Sequence, residues 1–333
     1  MSGTVTPTAA PRTAGPARRA GPGGLGSYLV RSDAPRQRSH RNFVLRRDRR
    51  GVWFVVPFLV VFLLFLVTPL LYAVYQSLYT SKLVGGTSFS GLANYRQTLE
   101  NGAFWSGFLR VCIFAAIQIP VMLVMSFFFA AMFDLGVARF GKFWRTVFFI
   151  PFAVPAVVGT VMWAFLLDPS SGPFTHLIHE LGFKGSNFFS SSLMVPTIIV
   201  IAIWEWTGYN MMILYTALRA VPREVVEAAV MDGASLSRLV LRVKFPMVRP
   251  AMVMLVFLNV IGALQLFTEP LLLGAFQPQA ISDAFTPTLY IYNTGIGGGQ
   301  YDLAAAAAVV LALLVVIISV GSLAFRRGKG ERE

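Results

Sequence analysis

Glu205 is a carboxylate inside an apolar run, with an indole on either side, Trp204 and Trp206. A carboxylate accepts hydrogen bonds from paired hydroxyls, and indole faces stack on sugar rings. The triplet therefore has the chemistry to hold a polyhydroxylated ligand. A charged side chain at the centre of a membrane helix costs about 2.5–3.5 kcal/mol on insertion scales, so Glu205 is expected to face a protein interior or a wet cavity. The competing readings are a structural partner to a neighbouring helix, or a protonated carboxyl near the interface. Glu205 is the one carboxylate expected well inside a span. Downstream, Asn259, Gly262 and Gln265 recur every three residues and so share one helix face. They either line a path or hydrogen-bond helices together, and the second role is the expected one. Tyr209 and Asn210 are candidates of the same kind.

Other constellations carry less. His176, His179 and Glu180 offer two imidazoles at i, i+3 with no third ligand at useful spacing, and their order does not fit H-E-x-x-H. No metal site is expected. The glycines at 295, 297, 298 and 299 are not followed by G-K-[ST], so they read as a flexible turn rather than a phosphate loop. The single cysteine, Cys112, excludes an internal disulfide and reads as a small apolar residue.

The elements that must position these residues are membrane helices. Of 333 residues, 56% are hydrophobic and only 13% charged, with a mean hydropathy of +0.65. A soluble domain needs about 25% charged residues to cover its surface. Six apolar blocks are long enough to span a bilayer, roughly 52–78, 111–133, 147–167, 193–218, 251–273 and 303–325. Helices are favoured over a barrel, whose strands need only about 10 residues of alternating polarity. The fold class is thus an all-α integral membrane protein with six transmembrane helices. Pro120, Pro151 and Pro155 fall inside blocks and are expected to kink them.

Charge sets the orientation. Eleven arginines precede the first block, three basic residues separate blocks two and three, six lie between blocks four and five, and four follow the last. The remaining loops share only Lys82, Arg96, Arg110 and Lys184. Lys and Arg are retained on the cytoplasmic side, so both termini are expected there. This distribution accounts for the net charge of +13 without nucleic acid. Residues 1–50, rich in Arg, Pro, Gly and Ala, read as a disordered basic cytoplasmic tail that either lies on anionic headgroups or only sets topology. Residues 51–326 form the six-span domain and 327–333 a second cytoplasmic tail.

The cytoplasmic loop 221–246 has a pattern of its own. Pro222 suits the first turn of a helix, and Glu224 suits its positive end. Gly233 can adopt positive φ and stop it, Ser235 can cap a second short helix, and Pro246 is expected to end that one. Two short helices joined at a glycine are too polar to span and too regular for a linker. They read as a docking element for another protein, or as a surface loop with no partner.

The run Glu227-Ala228-Ala229, three residues, Gly233, nine residues, Val243, one residue, Phe245, Pro246 resembles the EAA loop of ABC importer permeases. Val243 and Phe245 stand where the family has Ile and Leu. The resemblance extends over most of 50–326 through Asn94-Tyr95, Pro151 with Pro155, Trp163 with Asp168-Pro169, Gly208, Thr268-Glu269-Pro270 and Tyr292-Asn293. It is closest to the carbohydrate branch, the maltose and glycerol-3-phosphate type, without the large external domain of the maltose-type subunit. It implies that 221–246 holds coupling helices, with Glu227 and Gly233 setting their geometry, Ala228 and Ala229 allowing close packing, and Asp232, Val243, Phe245 and Pro246 in the same ATPase-coupling set.

It also implies a sugar as cargo, with glycerol 3-phosphate or a polyamine as the alternative, and a place in the cytoplasmic membrane of a prokaryote. The implied partners are a second six-span permease, two ATPase subunits and an extracytoplasmic solute-binding protein. No Walker motif occurs in the chain, so ATP and magnesium are expected on the ATPase and no cofactor here. An ion-driven carrier would show inverted repeats or broken helices with paired charges, and the sequence displays neither. A membrane enzyme would need clustered catalytic polar residues at one face.

Overall fold

Asn101 starts the longest uninterrupted α-helix. Its side-chain oxygen accepts from the amides of Ala103 at 2.9 Å and Phe104 at 3.3 Å, satisfying two donors that the first turn leaves free. The helix therefore begins at Gly102, ahead of the apolar block at 111, and Cys112 and Arg110 lie within it rather than at its mouth. Arg110, expected in an external loop, donates to the Phe285 carbonyl at 2.6 Å and lies 4.6 Å over that ring.

The computed structural model describes residues 49–82, 85–182 and 187–330. The tail reading for residues 1–48 and the placement of Lys184 lie outside the described residues. The chain divides into a unit ending at Pro57 and a larger one from Phe58 onward. In order, the helices are α1 (Arg49–Phe62), α2 (Thr68–Ser77), α3 (Ala93–Glu100), α4 (Gly102–Asp134), α5 (Gly141–Ala153), α6 (Ala156–Leu166), α7 (Pro173–Glu180) and α8 (Met194–Arg219). They continue with α9 (Arg223–Met231), α10 (Leu236–Arg238), α11 (Phe245–Leu264), α12 (Thr268–Phe276), α13 (Pro287–Tyr292) and α14 (Tyr301–Gly330). The last runs past residue 326, where the sequence placed the start of a tail. A small antiparallel hairpin, β1 (Tyr79–Lys82) and β2 (Gly86–Phe89), follows α2 with Tyr79 opposite Phe89.

Among the described residues, five stretches are long and apolar enough to cross a membrane: Trp53–Ser77, Gly102–Asp134, Met194–Arg219, Leu236–Phe276 and Tyr301–Gly321. The block at 147–167 is not one straight helix. α5 and α6 meet at a 95° bend. Pro155 cannot continue a helix, and it holds the preceding Val154 in extended backbone at ψ 130°. A broken helix thus exists where the sequence displayed none. Pro120, by contrast, sits inside the continuous α4.

Two π-helical turns precede prolines in a parallel way. The Leu63–Val67 turn leads to Pro69 and the Leu239–Lys244 turn to Pro246. Each proline lies in the first turn of the next α-segment, where its missing N–H costs nothing. Pro246 therefore does not end the second loop helix. That helix runs through the wide turn into α11.

The core lies between α4, α8, α11 and α12. Met122, Met194, Ile198, Ile201, Met211, Leu214, Leu255 and Leu273 are fully enclosed there. Ser126 Oγ donates to the Thr207 carbonyl at 3.0 Å, tying α4 to α8. Gly208 lets the α5 backbone pass directly over α8, because a Cβ there would fall on the Phe148 carbonyl oxygen. A second cluster joins Phe104, Tyr290, Ala307, Val310 and Leu311. Outward faces carry exposed Leu, Val, Ile and Phe throughout, the surface expected against lipid.

Candidate functional site

α8 presents Ala202, Glu205, Trp206 and Tyr209 at i, i+3, i+4, i+7, a single helical face. That face borders a partly open cavity of about 360 Å³ lined also by α4, the start of α6, α11, α12 and the break at 265–267. Interrupting the helix between Leu264 and Thr268 turns Gln265 and the first turn of α12 toward the same space. Glu205, Tyr209, Asn259, Gly262 and Gln265, all singled out from the sequence, line it together. Glu205 and Glu269 are each only 8% exposed. Glu205 is therefore not the one buried carboxylate, since Glu269 in the first turn of α12 shares its cavity.

Two sequence candidates lie elsewhere. Trp204 points away, edge-on to Trp163 at 5.7 Å and against Gly159. Asn210 is fully buried between helices. It donates to the Trp206 carbonyl at 2.9 Å and accepts from Asn259 Nδ2 at 2.9 Å, a link between α8 and α11. Asn259 thus serves both readings, because it bonds helices and borders the cavity.

Trp206 lines the cavity as the expected stacking indole, and Gln118 and Thr268, which were not among the expected path residues, line it too. Gln118 is a polar residue inside an apolar block, a signal that was available. Trp206, Tyr209 and Phe152 form a fixed aromatic wall. Phe152 stacks on Tyr209 at 4.6 Å and meets Trp206 at 5.3 Å.

The loop 221–246 has a different character. Gly233 takes φ +75°, its amide donates to the Val230 carbonyl at 2.9 Å, and the Ala234 amide to that of Ala229 at 3.0 Å. This pair of bonds is a Schellman stop, with Asp232 as the C-cap. Ser235 occupies the N-cap position of α10 but makes no capping bond. Its hydroxyl lies 3.3 Å from that of Ser237 instead. Glu227, Ala228, Asp232 and Gly233 are exposed and Ala229 partly so, while Met231 is 86% exposed beside an exposed Val230. The other end is anchored: Phe245 meets Phe127 edge-on at 5.2 Å, and Lys244 pairs with Asp134. Val243 and Pro246 are half-buried there. His176 and His179 lie on α7, and no group of three metal-ligating side chains occurs among the described residues.

The sequence matches the family described as binding-protein-dependent transport system inner membrane component over residues 86–327. The chain belongs to this family. It is a permease subunit of an ABC importer, a transport component and not an enzyme. The sn-glycerol-3-phosphate transport system permease proteins of Salmonella choleraesuis strain SC-B67 and Salmonella typhimurium strain LT2 are each 30% identical over 276 residues, covering 83% of this chain and 93% of theirs. A bacterial alginate ABC transporter, solved with an alginate pentasaccharide-bound periplasmic protein, has a chain of the same fold at TM-score 0.72 and 21% identity. The match covers 84% of this chain and 94% of that one. A second structure of an alginate-importing ABC transporter gives TM-score 0.74 at 20% identity, over 85% and 96% of the two chains. This inner membrane component carries its spans, its cavity and its exposed loop all within or beside the matched 86–327.

Proposed function

We propose that this permease forms one membrane half of an ATP-driven sugar importer, with the cavity on the cargo path and the loop 221–246 docked on an ATPase. The observation that carries the reading is the two-ended construction of the loop. Its outer end, around Glu227, Met231 and Gly233, is exposed and apolar enough to bury against a partner. Its inner end is continuous with α11, which borders the cavity at Asn259 and Gly262. Movement at the docking end is thereby passed to the cavity wall by a helix rather than a flexible linker. ATP binding to the partner biases the two-state equilibrium between outward- and inward-open forms.

The bent α5–α6 pair counts as the third of six spans, and both termini and the 221–246 loop face the cytoplasm, in keeping with the positive-charge distribution. A second six-span permease completes the path, two ATPase subunits hold ATP and magnesium, and an extracytoplasmic binding protein delivers the cargo. The aromatic wall of Trp206 and Tyr209 with carboxylate and amide groups opposite suits sugar rings and their hydroxyls.

The test is to tag the chain in its host, solubilise gently and identify what copurifies, with a Met231→Cys variant for crosslinking. A Walker-motif ATPase crosslinked through residue 231, together with a second permease, is expected. Recovery of the chain alone, even after crosslinking, would overturn the reading.

A further inference from the structure

The cavity holds two carboxylates, Glu205 and Glu269, and no Lys, Arg or His among its described lining residues. The rest of its polar lining is neutral: amides from Gln118, Asn259 and Gln265 and hydroxyls from Tyr209 and Thr268. Glu205 is more than nine-tenths buried and borders the empty space, and its carboxyl makes no hydrogen bond to any described side chain or backbone group. A buried carboxyl group with free acceptor oxygens is costly unless something supplies donors. Water or a ligand entering the cavity is what remains to do so. Trp206 and Tyr209 line one side with aromatic rings set edge-on to each other, and Phe152 stacks behind Tyr209.

We infer that the cavity passes polyhydroxylated cargo bearing no negative charge, neutral sugars or amino sugars, and rejects phosphorylated and uronic compounds. The inference rests on the cavity being the cargo path. Hydroxyl groups donate to the two carboxylates, and an ammonium group does so with charge assistance. A phosphate or carboxylate would enter a space whose described lining offers two acidic groups and no cation, so its charge would be desolvated with nothing to offset it. This separates the chain by chemistry from its 30% identical relatives, whose name specifies sn-glycerol 3-phosphate, an anion.

A single reporter thiol tests it. Gly262 borders the cavity, and a Cβ built there meets nothing within 4 Å, so Gly262→Cys projects a thiol into the open space. The only native cysteine is removed by Cys112→Ala. In the purified complex, reaction rates of a trimethylammonium-ethyl and a sulfonatoethyl methanethiosulfonate are each divided by the rate with free mercaptoethanol. The expected ratio favours the cation by about tenfold or more, because a charged cleft concentrates counter-ions. It should collapse toward one when Glu205→Gln and Glu269→Gln are added. Maltose or glucosamine at twice its half-saturating concentration should slow labelling about threefold, whereas glucuronate and glycerol 3-phosphate should not.

A ratio near one, protection by the anions, or protection by none of the four compounds overturns the inference. If Gly262→Cys does not assemble, Ala263→Cys on the same wall replaces it. The ATPase retained in the same preparation reports separately on the importer reading, so anion protection in an ATPase-bearing complex defeats only the charge selection.

Discussion

Lys244 and Asp134, 110 residues apart in the chain, meet as a buried ion pair that fastens the loop 221–246 to the end of α4. Both side chains are almost fully enclosed, at 9% and 4% exposure. A buried pair of this kind adds little net stability compared with apolar residues, but losing one partner strands a charge. Lys244→Met should therefore lower stability by about 3–5 kcal/mol, and pairing it with Asp134→Leu should recover most of that. Thermal unfolding of the purified protein, followed by size-exclusion chromatography after heating, reads both. A single variant as stable as the parent would show that the pair bears no load.

Gly233 tests the geometry of the proposed docking end. Its φ of +75° is the left-handed region, and nothing lies within 4 Å of where its Cβ would stand. The cost of a side chain is thus conformational rather than steric, about 1–2 kcal/mol for an ordinary L-residue. Gly233→Val should insert in the membrane normally yet retain less ATPase on copurification, while Gly233→Asn should retain more than Val. Equal retention in both variants would separate the turn from docking.

Glu227 belongs to the same exposed end. Glu227→Lys is expected to abolish uptake by uncoupling the ATPase, with membrane insertion intact. Normal cargo-stimulated ATP hydrolysis in that variant would count against the coupling role.

Gly208 is a packing position. The α5 backbone at Phe148 occupies the volume a Cβ would need. Both sides of this contact are backbone, so relief requires shifting a helix, and Gly208→Ala should cost about 1–3 kcal/mol or more. Loss of monodisperse protein in detergent is the expected result. Wild-type yield and melting would mean that α5 moves aside freely.

Asp168 follows α6 and holds the turn after it. Its Oδ1 accepts from the amides of Ser170 at 2.9 Å and Ser171 at 2.8 Å, and from both hydroxyls. Hydrogen bonds from the Ser170 hydroxyl, the Ser171 and Ser170 amides and the Ser171 hydroxyl pull the carboxyl down from 3.8 to about 2. A depressed carboxyl stabilises the turn fully above its unfolded pKa, and that contribution is lost as pH falls through the folded one. Pepsin, active across this window, should nick Asp168→Asn faster than wild type near pH 4, with the difference shrinking as pH falls to about 2. Matching rates at pH 4 would sink the assignment.

The sequence by itself determined the class of protein and the loop. Apolar runs of spanning length are a one-dimensional property, because a helix in lipid must satisfy its own backbone and cover itself with hydrocarbon. The helix Met194–Arg219 matches its apolar block to a residue at each end for that reason. The glycine stop at Gly233 was equally legible, since a left-handed residue is a local demand that few residue types meet.

What only the tertiary structure decided is where side chains point and where helices break. Trp204 and Trp206 flank Glu205 symmetrically in the sequence, yet helical rotation turns one against Trp163 and the other to the cavity. Pro155 lies inside an apolar block and Pro246 at the end of a polar loop, and each was expected to interrupt its helix. One accompanies a 95° bend and the other a continuing helix, because the wide Leu239–Lys244 turn takes up the second and nothing comparable precedes the first. Glu269 joined Glu205 only because the chain breaks at 265–267 and brings the first turn of α12 to the cavity that α8 borders. Such choices depend on contacts between residues far apart in the chain, and no local spacing encodes them.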